Sequence, residues 1–334
     1  MPLASTPPAP RRATIVDVAR RAGVSKSLAS RALRGEAGVS EASRHRISAA
    51  AEELGYRLNS PARALVQGAS GLIGVLLNEI GNQHHTAIVE GVEACAAEQG
   101  ARVILAHGSG DARKIVSQLD TFTELRVDGL IIVSSWVPHD ALAAVGAETP
   151  TVVVSRLLAP PDTIDTIASD DAAGARAAVT HLIASGRRSI GYLTRSESPT
   201  SRARTDGMFD ALAAADLEGR VFSVGTGRGA DLGTLFRSRI CDGLLCNNDL
   251  TAAEALRVAR LEGISVPGEL ALIGYDNTPL AEVLRPALTS VDQPQYRMGF
   301  RAATLLVERI DGRRTPLHEQ FMPRLVVRES STDT

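Results

Sequence analysis

The chain has 334 residues, of which 44% are hydrophobic and 22% charged, and its formal net charge at pH 7 is −2. This length allows two or three domains with a sizeable core, and the composition is typical of a soluble globular protein. No apolar run reaches the roughly 18 residues that a transmembrane helix needs, so we expect no membrane-spanning segment. The first residues lack the pattern of a signal peptide, and we therefore expect a cytoplasmic protein.

Basic residues are concentrated near the N-terminus. Residues 11–68 contain 11 Lys and Arg against 5 Asp and Glu, whereas the rest of the chain contains 25 basic and 33 acidic residues. A basic segment on an acidic body indicates a module that binds a polyanion, joined to a part that does not. Residues 1–12, where Pro and Arg follow a few apolar residues, predict a disordered lead-in.

Residues 13–58 contain three short helical patterns. The first, TIVDVARRAG, begins at Thr14, which can cap the helix, and Asp17 stands at the capping-box spacing. The second, SKSLASRAL, follows the turn GVS and has Ser25 as its cap, and the third begins at Ser40. Two helices joined by so tight a turn, with a third beside them, predict a helix-turn-helix domain.

The second of these helices has a basic and polar face opposite its apolar one. In a helix-turn-helix this face meets the base edges of DNA, and Lys or Arg can donate to guanine there. The residues we expect at the DNA are Lys26, Ser27 and Arg31 for base edges, and Thr14, Ser25 and Arg34 for the phosphate backbone. A solvated charged face on a small helical bundle is the alternative that this stretch leaves open.

A short helical segment, SPARALVQG, follows in residues 59–68. Pro61 suits the first position of a helix, and only about two turns follow, so this helix is marginal in isolation.

From residue 69 onward, strands alternate with amphipathic helices. The predicted strands are 72–77, 102–107, 128–134, 151–155, 189–194, 220–225, 242–247 and 269–276. Such alternation implies parallel sheets with helices on both faces. Eight or more strands fit two doubly wound subdomains, and ligands of such sheets bind at the carboxyl ends of the strands, in the cleft between the two.

Several motifs give the chain a resemblance to LacI/GalR-family transcriptional regulators. They are ATIVDVARRAGVSKSLASRAL, SGLIGVLL, DDAAGARAAVTHLIASGRRSIGYL, NNDLTAAEALR and VPGELALIGYDNTPLAEVLRPALTSVDQP, and the similarity runs from residue 13 to about 330. The resemblance implies a lambda-repressor-like helix-turn-helix domain, a hinge helix and a core like that of periplasmic sugar-binding proteins. It also implies a homodimer or tetramer that binds a palindromic operator on double-stranded DNA, under the control of a small effector.

The resemblance implies a role for the hinge as well. Its leucine, Leu65, is expected to wedge into a minor-groove step of the DNA, at a cost regained through the bend and the wider contact. The alternative for Leu65 is that it covers an apolar edge of the core. The resemblance also suggests subdomain limits, with the first subdomain at about 69–167 and 290–320 and the second at about 168–289 and 321–334.

Eight residues are expected to contact the effector. By resemblance these are Arg204, Asn248 and Asp276 from the second subdomain, to which we add Asn82, His84, His85, Trp136 and Arg156 from the first. Arg204 as a plain surface residue and Asp276 as a cap of the loop before Pro279 are the alternatives. The effector is expected to be a carbohydrate, although the pair His84 and His85 stands where many relatives have aromatic residues and leaves its identity open.

Other classes of protein are less consistent with the sequence. Gly225-x-Gly227-x-x-Ala230 imitates a dinucleotide-binding fingerprint, but Gly229 and Gly233 make a poor helix start, and no motif joins a nucleophile to a base. A periplasmic receptor with the same core is disfavoured by the basic N-terminal module. The paired histidines lack a third ligand at a recognisable spacing, and Cys95, Cys241 and Cys246 show no metal-binding pattern. We therefore expect no catalytic residue, no cofactor and no metal.

Overall fold

The computed structural model describes residues 13–33, 37–56, 69–223 and 230–332. The predicted lead-in, the hinge helix and two of the predicted DNA contacts, Arg34 and Leu65, lie outside the described residues. The chain divides into two compact units, residues 1–70 and 71–334, which are described separately below.

The N-terminal unit contains three helices, α1 (Ile15–Ala22), α2 (Lys26–Leu33) and α3 (Glu41–Glu53). The capping box at the start of α1 is formed, since the Thr14 backbone N–H donates to Asp17 over 2.9 Å and the Asp17 N–H donates to the Thr14 hydroxyl over 3.4 Å. The helix ends at Gly23, whose φ of 66° is a left-handed conformation that glycine adopts without strain. Each helix contributes to one small core, in which Val18, Ala29 and Ile47 are buried.

The second unit is the core domain, built from alternating strands and helices. Its strands are β1 (Leu72–Leu77), β2 (Arg102–His107), β3 (Gly129–Val133), β4 (Thr151–Val154), β5 (Asp165–Ser169), β6 (Ile190–Thr194), β7 (Gly219–Ser223), β8 (Gly243–Cys246), β9 (Ala271–Asp276), β10 (Thr289–Asp292), β11 (His318–Phe321) and β12 (Arg324–Val326). Its helices are α4 (Gln83–Glu98), α5 (Ala112–Leu125), α6 (His139–Glu148), α7 (Asp171–Ala184), α8 (Pro199–Ala213), α9 (Ala230–Arg237), α10 (Asp249–Leu261), α11 (Pro279–Val283) and α12 (Gln295–Ile310), and a short 3₁₀ helix spans Glu329–Ser331.

These strands form two six-stranded sheets. The first has the order β11-β5-β4-β3-β1-β2 and the second the order β12-β10-β9-β8-β6-β7. All strand pairs are parallel except β10 with β12. The predicted class, a helix-turn-helix unit followed along the chain by a core of two parallel-sheet subdomains, is confirmed. We call the part around each sheet the first and the second subdomain.

The chain crosses between the two subdomains three times: after β5, after β10 and after β11. The predicted limit at residue 290 needs correction, because β10 pairs with β9 of the second sheet through Asp292. The limits at 167 and 321 also shift, since β5 extends to Ser169 and β11 pairs with it through Phe321. The physical reason is that β5, β10 and β11 have only four or five residues, so their limits follow the hydrogen bonds of neighbouring strands, which the sequence pattern does not reveal.

The first subdomain contains an unusually close helix pair, α4 against α12. A methyl group in place of the Gly299 hydrogen would overlap the carbonyl oxygen of Ile88, and one at Gly91 would overlap that of Tyr296. The two backbones can therefore approach each other only because both positions lack a side chain.

Two further observations bear on the sequence-based predictions. Gly229 and Gly233 were expected to make a poor helix start, yet α9 begins at Ala230 and contains Gly233. Leu232 and Phe236 of this helix pack into the core of the second subdomain. Among the described residues, no helix has both the length and the apolar character needed to cross a membrane.

Candidate functional site

In the N-terminal unit, α2 exposes the predicted contact residues. Ser25, Lys26, Ser27 and Arg31 are all exposed. The Ser25 hydroxyl accepts a hydrogen bond from the Leu28 backbone N–H over 3.2 Å, so this residue caps the helix.

Arg31 and Thr14 also make hydrogen bonds within the protein, as Ser25 does. Arg31 donates from Nη2 to the backbone carbonyl of Ala37 over 2.9 Å. The Thr14 hydroxyl donates to Asp17 over 2.6 Å and is part of the capping box. A contact from either side chain to DNA would therefore share or replace these hydrogen bonds.

In the core, a cleft of about 540 Å³ lies between the carboxyl ends of the strands of the two subdomains. All eight predicted effector contacts line it: Asn82, His84, His85, Trp136, Arg156, Arg204, Asn248 and Asp276. The topology explains this convergence, because strand ends of both parallel sheets face the same crevice.

Arg204 is a buried residue of the cleft lining. It is 5% exposed, so the surface alternative is wrong. Its Nε and Nη2 both lie 2.9 Å from Oδ1 of Asp171, Nη1 donates to the Asn247 carbonyl, and the guanidinium lies 3.5 Å from the ring centroid of Tyr275. Burial by itself would lower the pKa of Arg204, but the carboxylate of Asp171 and the other acidic groups around it raise this pKa. The guanidinium is therefore a fixed charge with most of its donors in use.

Asp276 lies beside this arginine at the end of β9. Its Oδ1 accepts a hydrogen bond from Nε2 of Gln293 over 2.7 Å, and Gln295 donates to its backbone carbonyl. Asp276 and Asn277 have φ values of 100° and 50°, a left-handed pair that is strained for residues other than glycine. Burial raises the pKa of Asp276 to about 7, against an opposing effect of Arg204. A pKa in this range means that both the protonated and the ionised form of Asp276 are populated near neutral pH.

The alternative role of Asp276, a cap for the loop before Pro279, is not seen in the structure. The loop before Pro279 is held instead by Asp249, whose Oδ2 accepts hydrogen bonds from the Thr278 backbone N–H over 2.6 Å and from its hydroxyl over 2.9 Å. Asp249 thus provides the hydrogen-bond acceptor that this loop needs. The carboxylate of Asp276 faces the cleft instead.

His84 and His85 form part of the opposite wall, at the start of α4. Burial, with a contribution from Arg204, lowers the pKa of His84 to about 3. Burial and the neighbouring His84 lower the pKa of His85 to about 4, although its Nδ1 lies 2.7 Å from the Glu79 carbonyl. Both imidazoles are therefore neutral at physiological pH and act as polar walls without charge.

Three further predicted residues, Asn82, Asn248 and Trp136, line the cleft in different ways. Asn82 and Asn248 cap α4 and α10, accepting hydrogen bonds from the backbone N–H groups of His84 (3.0 Å) and Thr251 (2.8 Å). Both residues line the cleft, and because each Oδ1 is used by the cap, the amide N–H groups are the donors that they can offer a ligand. Trp136 is 44% exposed and presents an aromatic surface to the cleft.

Sequence analysis missed Asp171, Arg195 and Gln293, which also line the cleft. Asp171 and Arg195 follow β5 and β6 closely, so the rule that sites lie at strand carboxyl ends was a usable signal for both. Gln293 follows β10, a strand that was not predicted. Among the described residues, no group of three or more His, Cys, Asp or Glu could hold a metal ion.

Comparison with known proteins decides the family. A model described as "Bacterial regulatory proteins, lacI family" matches residues 14–59, and one described as "Periplasmic binding protein-like domain" matches residues 179–331. The HTH-type transcriptional regulator GalR of Escherichia coli K12 is 34% identical over 327 residues, covering 95% of each chain. The chain belongs to the lacI family of bacterial regulatory proteins.

Solved structures agree with this placement of the LacI-family chain. A transcriptional regulator CelR–cellobiose complex is 29% identical, has a TM-score of 0.69 and covers 96% of this chain and 100% of its own. The lac repressor dimer bound to operator and an anti-inducer is 24% identical, with a TM-score of 0.81 and coverage of 97% and 100%, and shows the shared fold. The helix-turn-helix unit of this LacI-family protein is thus a DNA-binding domain of a transcriptional regulator.

Proposed function

We propose that this protein is a repressor whose affinity for an operator is controlled by a small sugar bound in the core cleft. The observation that carries the proposal is the convergence of Arg204, Asp276 and Trp136 on one cavity of about 540 Å³. That volume suits a small molecule, carboxylates and guanidinium groups bind hydroxyls through charge-assisted hydrogen bonds, and an aromatic face suits a sugar ring. The cellobiose bound to CelR supports this ligand class.

On the DNA side, we propose that the exposed face of α2 enters the major groove. Lys26, Ser27 and Arg31 would read base edges, and Thr14 and Ser25 would contact phosphates, together with Arg34. Two copies of the chain would align two such units on a palindromic site, with half-sites about 10 base pairs apart. The segment that contains Leu65 would link DNA binding to the state of the cleft.

Control by the effector requires that it binds two states of the core with different affinity. The cleft provides a basis for this requirement, because its walls belong to two subdomains that carry separate sheets. A ligand that contacts Arg204 and Asp276 on one side and His84 on the other would favour the state in which both walls are close.

The DNA-binding part is tested with operator fragments selected from a random duplex library. We expect Arg31→Ala to lose about 1–3 kcal/mol of discrimination at one base pair, as measured by fluorescence anisotropy. Arg102→Ala, which removes an exposed charge from β2 of the core, is the matched control and should leave DNA affinity unchanged. Equal weakening on all sequences by Arg31→Ala would make Arg31 a phosphate contact instead.

The effector part is tested by measuring operator affinity with and without each sugar of a panel, after a thermal-shift screen for binding. We expect a sugar that raises the unfolding temperature to change operator affinity as well. Asp276→Asn should abolish this response and retain DNA binding. A sugar that binds the cleft without any change in operator affinity or in reporter transcription would contradict the proposed control.

A further inference from the structure

Two arginines of the cleft form no direct ion pair within the described residues. Arg156 and Arg195 line the cavity and are half-buried. Within the part of the chain that the structure describes, neither guanidinium makes an ion pair or a hydrogen bond. Burial raises the pKa of Asp171 and the charge of Arg156 opposes this rise, so Arg156 lies near that carboxyl without a direct contact. A guanidinium withdrawn from water without an anion loses hydration that only a ligand or a rearrangement could replace. This pair therefore differs from the other charges of the cleft.

The other ionisable groups of the cavity are already occupied, neutral or peripheral. Arg204 is held by Asp171, by the Asn247 carbonyl and by the ring of Tyr275. Asp276 accepts a hydrogen bond from Gln293, and Glu79 is exposed at the rim. The two imidazoles carry no charge at neutral pH, as described above. Arg156 and Arg195 are therefore the guanidinium groups of the cavity whose donors are all free of hydrogen bonds within the described residues, whereas Arg204 keeps only part of its donors for a ligand.

The two arginines stand on opposite walls. Arg156 comes two residues after β4 of the first subdomain, and Arg195 directly follows β6 of the second. Each has a hydroxyl neighbour that also lines the cavity, Ser155 beside the first and Ser196 beside the second. Guanidinium and hydroxyl donors on both sides of a crevice match the several acceptor oxygens of a phosphate or carboxylate group.

We infer that the effector is an anionic sugar, one that carries a phosphate or carboxylate group held between Arg156 and Arg195. This inference rests on the proposed function, since it specifies the ligand of the same cleft. The anion would draw the arginines of the two subdomains toward one group, while the hydroxyls of the sugar contact the Arg204 and Asp276 wall. A neutral sugar can accept hydrogen bonds from these guanidinium groups but lacks the negative charge that would neutralise them.

The test uses matched ligands and the full-length protein. Isothermal titration compares glucose with glucose 6-phosphate and with glucuronate, and ribose with ribose 5-phosphate, and inorganic phosphate serves as a minimal probe in thermal unfolding. We expect the anionic member of at least one pair to bind at least about tenfold more tightly than the neutral one, the effect of roughly one charge-assisted contact. We also expect millimolar phosphate to raise the unfolding temperature.

Substitutions assign the effect to the two arginines. Arg156→Gln and Arg195→Gln should each weaken binding of the anionic sugar about tenfold, and the double variant should lose the preference over the neutral sugar. Arg202→Gln removes the same charge from an exposed position of α8 and should leave the preference intact. Comparing the phosphorylated sugars with glucuronate shows which of the two anionic groups the site binds.

Three results would overturn the inference. They are equal binding of neutral and anionic sugars, a preference that survives the double substitution, and no response to any anionic sugar or to phosphate. If a neutral sugar binds and changes operator affinity, the inference fails and the proposed function stands. If an anionic sugar binds through the two arginines without changing operator affinity, the ligand class stands and the proposed control fails.

Discussion

His84 and Asp276 meet across the cleft, with Nδ1 of the histidine 3.4 Å from Oδ1 of the aspartate. The first residue belongs to α4 of the first subdomain and the second to β9 of the second. The contact does not have the geometry of a hydrogen bond, and within the described residues Nδ1 has no hydrogen-bond partner. Burial lowers the pKa of His84 to about 3 and raises the pKa of Asp276 to about 7, so the aspartate is the member of this pair that changes charge near neutral pH.

We predict that effector affinity falls as the pH is lowered from 8 to 6. Burial raises the pKa of Asp276 to about 7, and its ionised carboxylate accepts charge-assisted hydrogen bonds from ligand hydroxyls. The protonated group accepts more weakly, because it has lost its charge and one of its oxygens carries a proton. Titration calorimetry with a neutral or carboxylated sugar, which does not itself titrate in this range, measures the effect.

Asp276→Asn is the control for this pH dependence: it should bind the sugar only weakly, as the protonated acid does, and this weak affinity should be flat between pH 6 and 8. Burial also raises the pKa of Asp249 to about 7, but this residue does not line the cleft. A pH dependence that persists in Asp276→Asn would therefore point to Asp249 or to a change in the fold, against our prediction.

The same substitution should stabilise the protein without ligand at pH 8. The pKa of Asp276 is higher in the folded state than its ordinary value of 3.8, so its contribution to stability is greatest below about pH 4 and is lost as the pH rises toward 7. Asn imitates the protonated acid and avoids this loss. Urea unfolding at pH 4 and pH 8 should show a gain for Asp276→Asn at the higher pH, and a loss there would contradict the burial argument.

Arg204→Ala should destabilise the core by about 3–5 kcal/mol, because it leaves the buried Asp171 without its cation. The loss should increase with pH, since Asp171 can take up a proton at low pH. Arg202→Ala, two residues away and exposed, should cost less than about 0.5 kcal/mol in the same urea titration. Equal effects of the two substitutions would show that the buried pair adds nothing, and adding Asp171→Asn to Arg204→Ala should recover part of the loss.

Gly299→Ala should destabilise the first subdomain by about 1–3 kcal/mol, because the added methyl group forces α12 away from the backbone of Ile88 in α4. Gly81→Ala is the matched control, since its methyl group would meet no atom within 4 Å. Thermal unfolding compares the two. An unchanged unfolding temperature for Gly299→Ala would mean that the helices separate without cost.

The sequence was sufficient to predict the long strands. The run LIGVLL became β1 with the predicted limits, because continuous apolar residues indicate a strand that is buried on both faces of a parallel sheet. RVILAH became β2 with the predicted limits as well, although it lies at the sheet edge and none of its residues is buried. The strands β5, β10, β11 and β12 were not predicted. They have three to five residues and include polar ones, as in TSVD and HEQF, so their conformation depends on neighbouring strands rather than on local pattern.

The candidate site was predictable in its location and less so in its chemistry. Strand ends and the family resemblance placed Arg204 and Asp276 at the cleft. The ion pair of Arg204 with Asp171 spans 33 positions of the chain, and the hydrogen bond from Gln293 to Asp276 spans 17, so no local spacing reveals either. Local spacing likewise does not reveal that Arg195 lacks an ion-pair partner among the described residues, because this depends on the residues that the tertiary fold brings near it.

The three passages of the chain between the two sheets have an evolutionary consequence. Neither half of the core is a continuous piece of the gene, so no single cut separates one half from the other. A chimaera that joins one wall of the cleft to a relative's opposite wall would need three junctions in register. Ligand preference should therefore diverge by point substitution within the core, and a whole core should be the unit that recombination transfers between regulators.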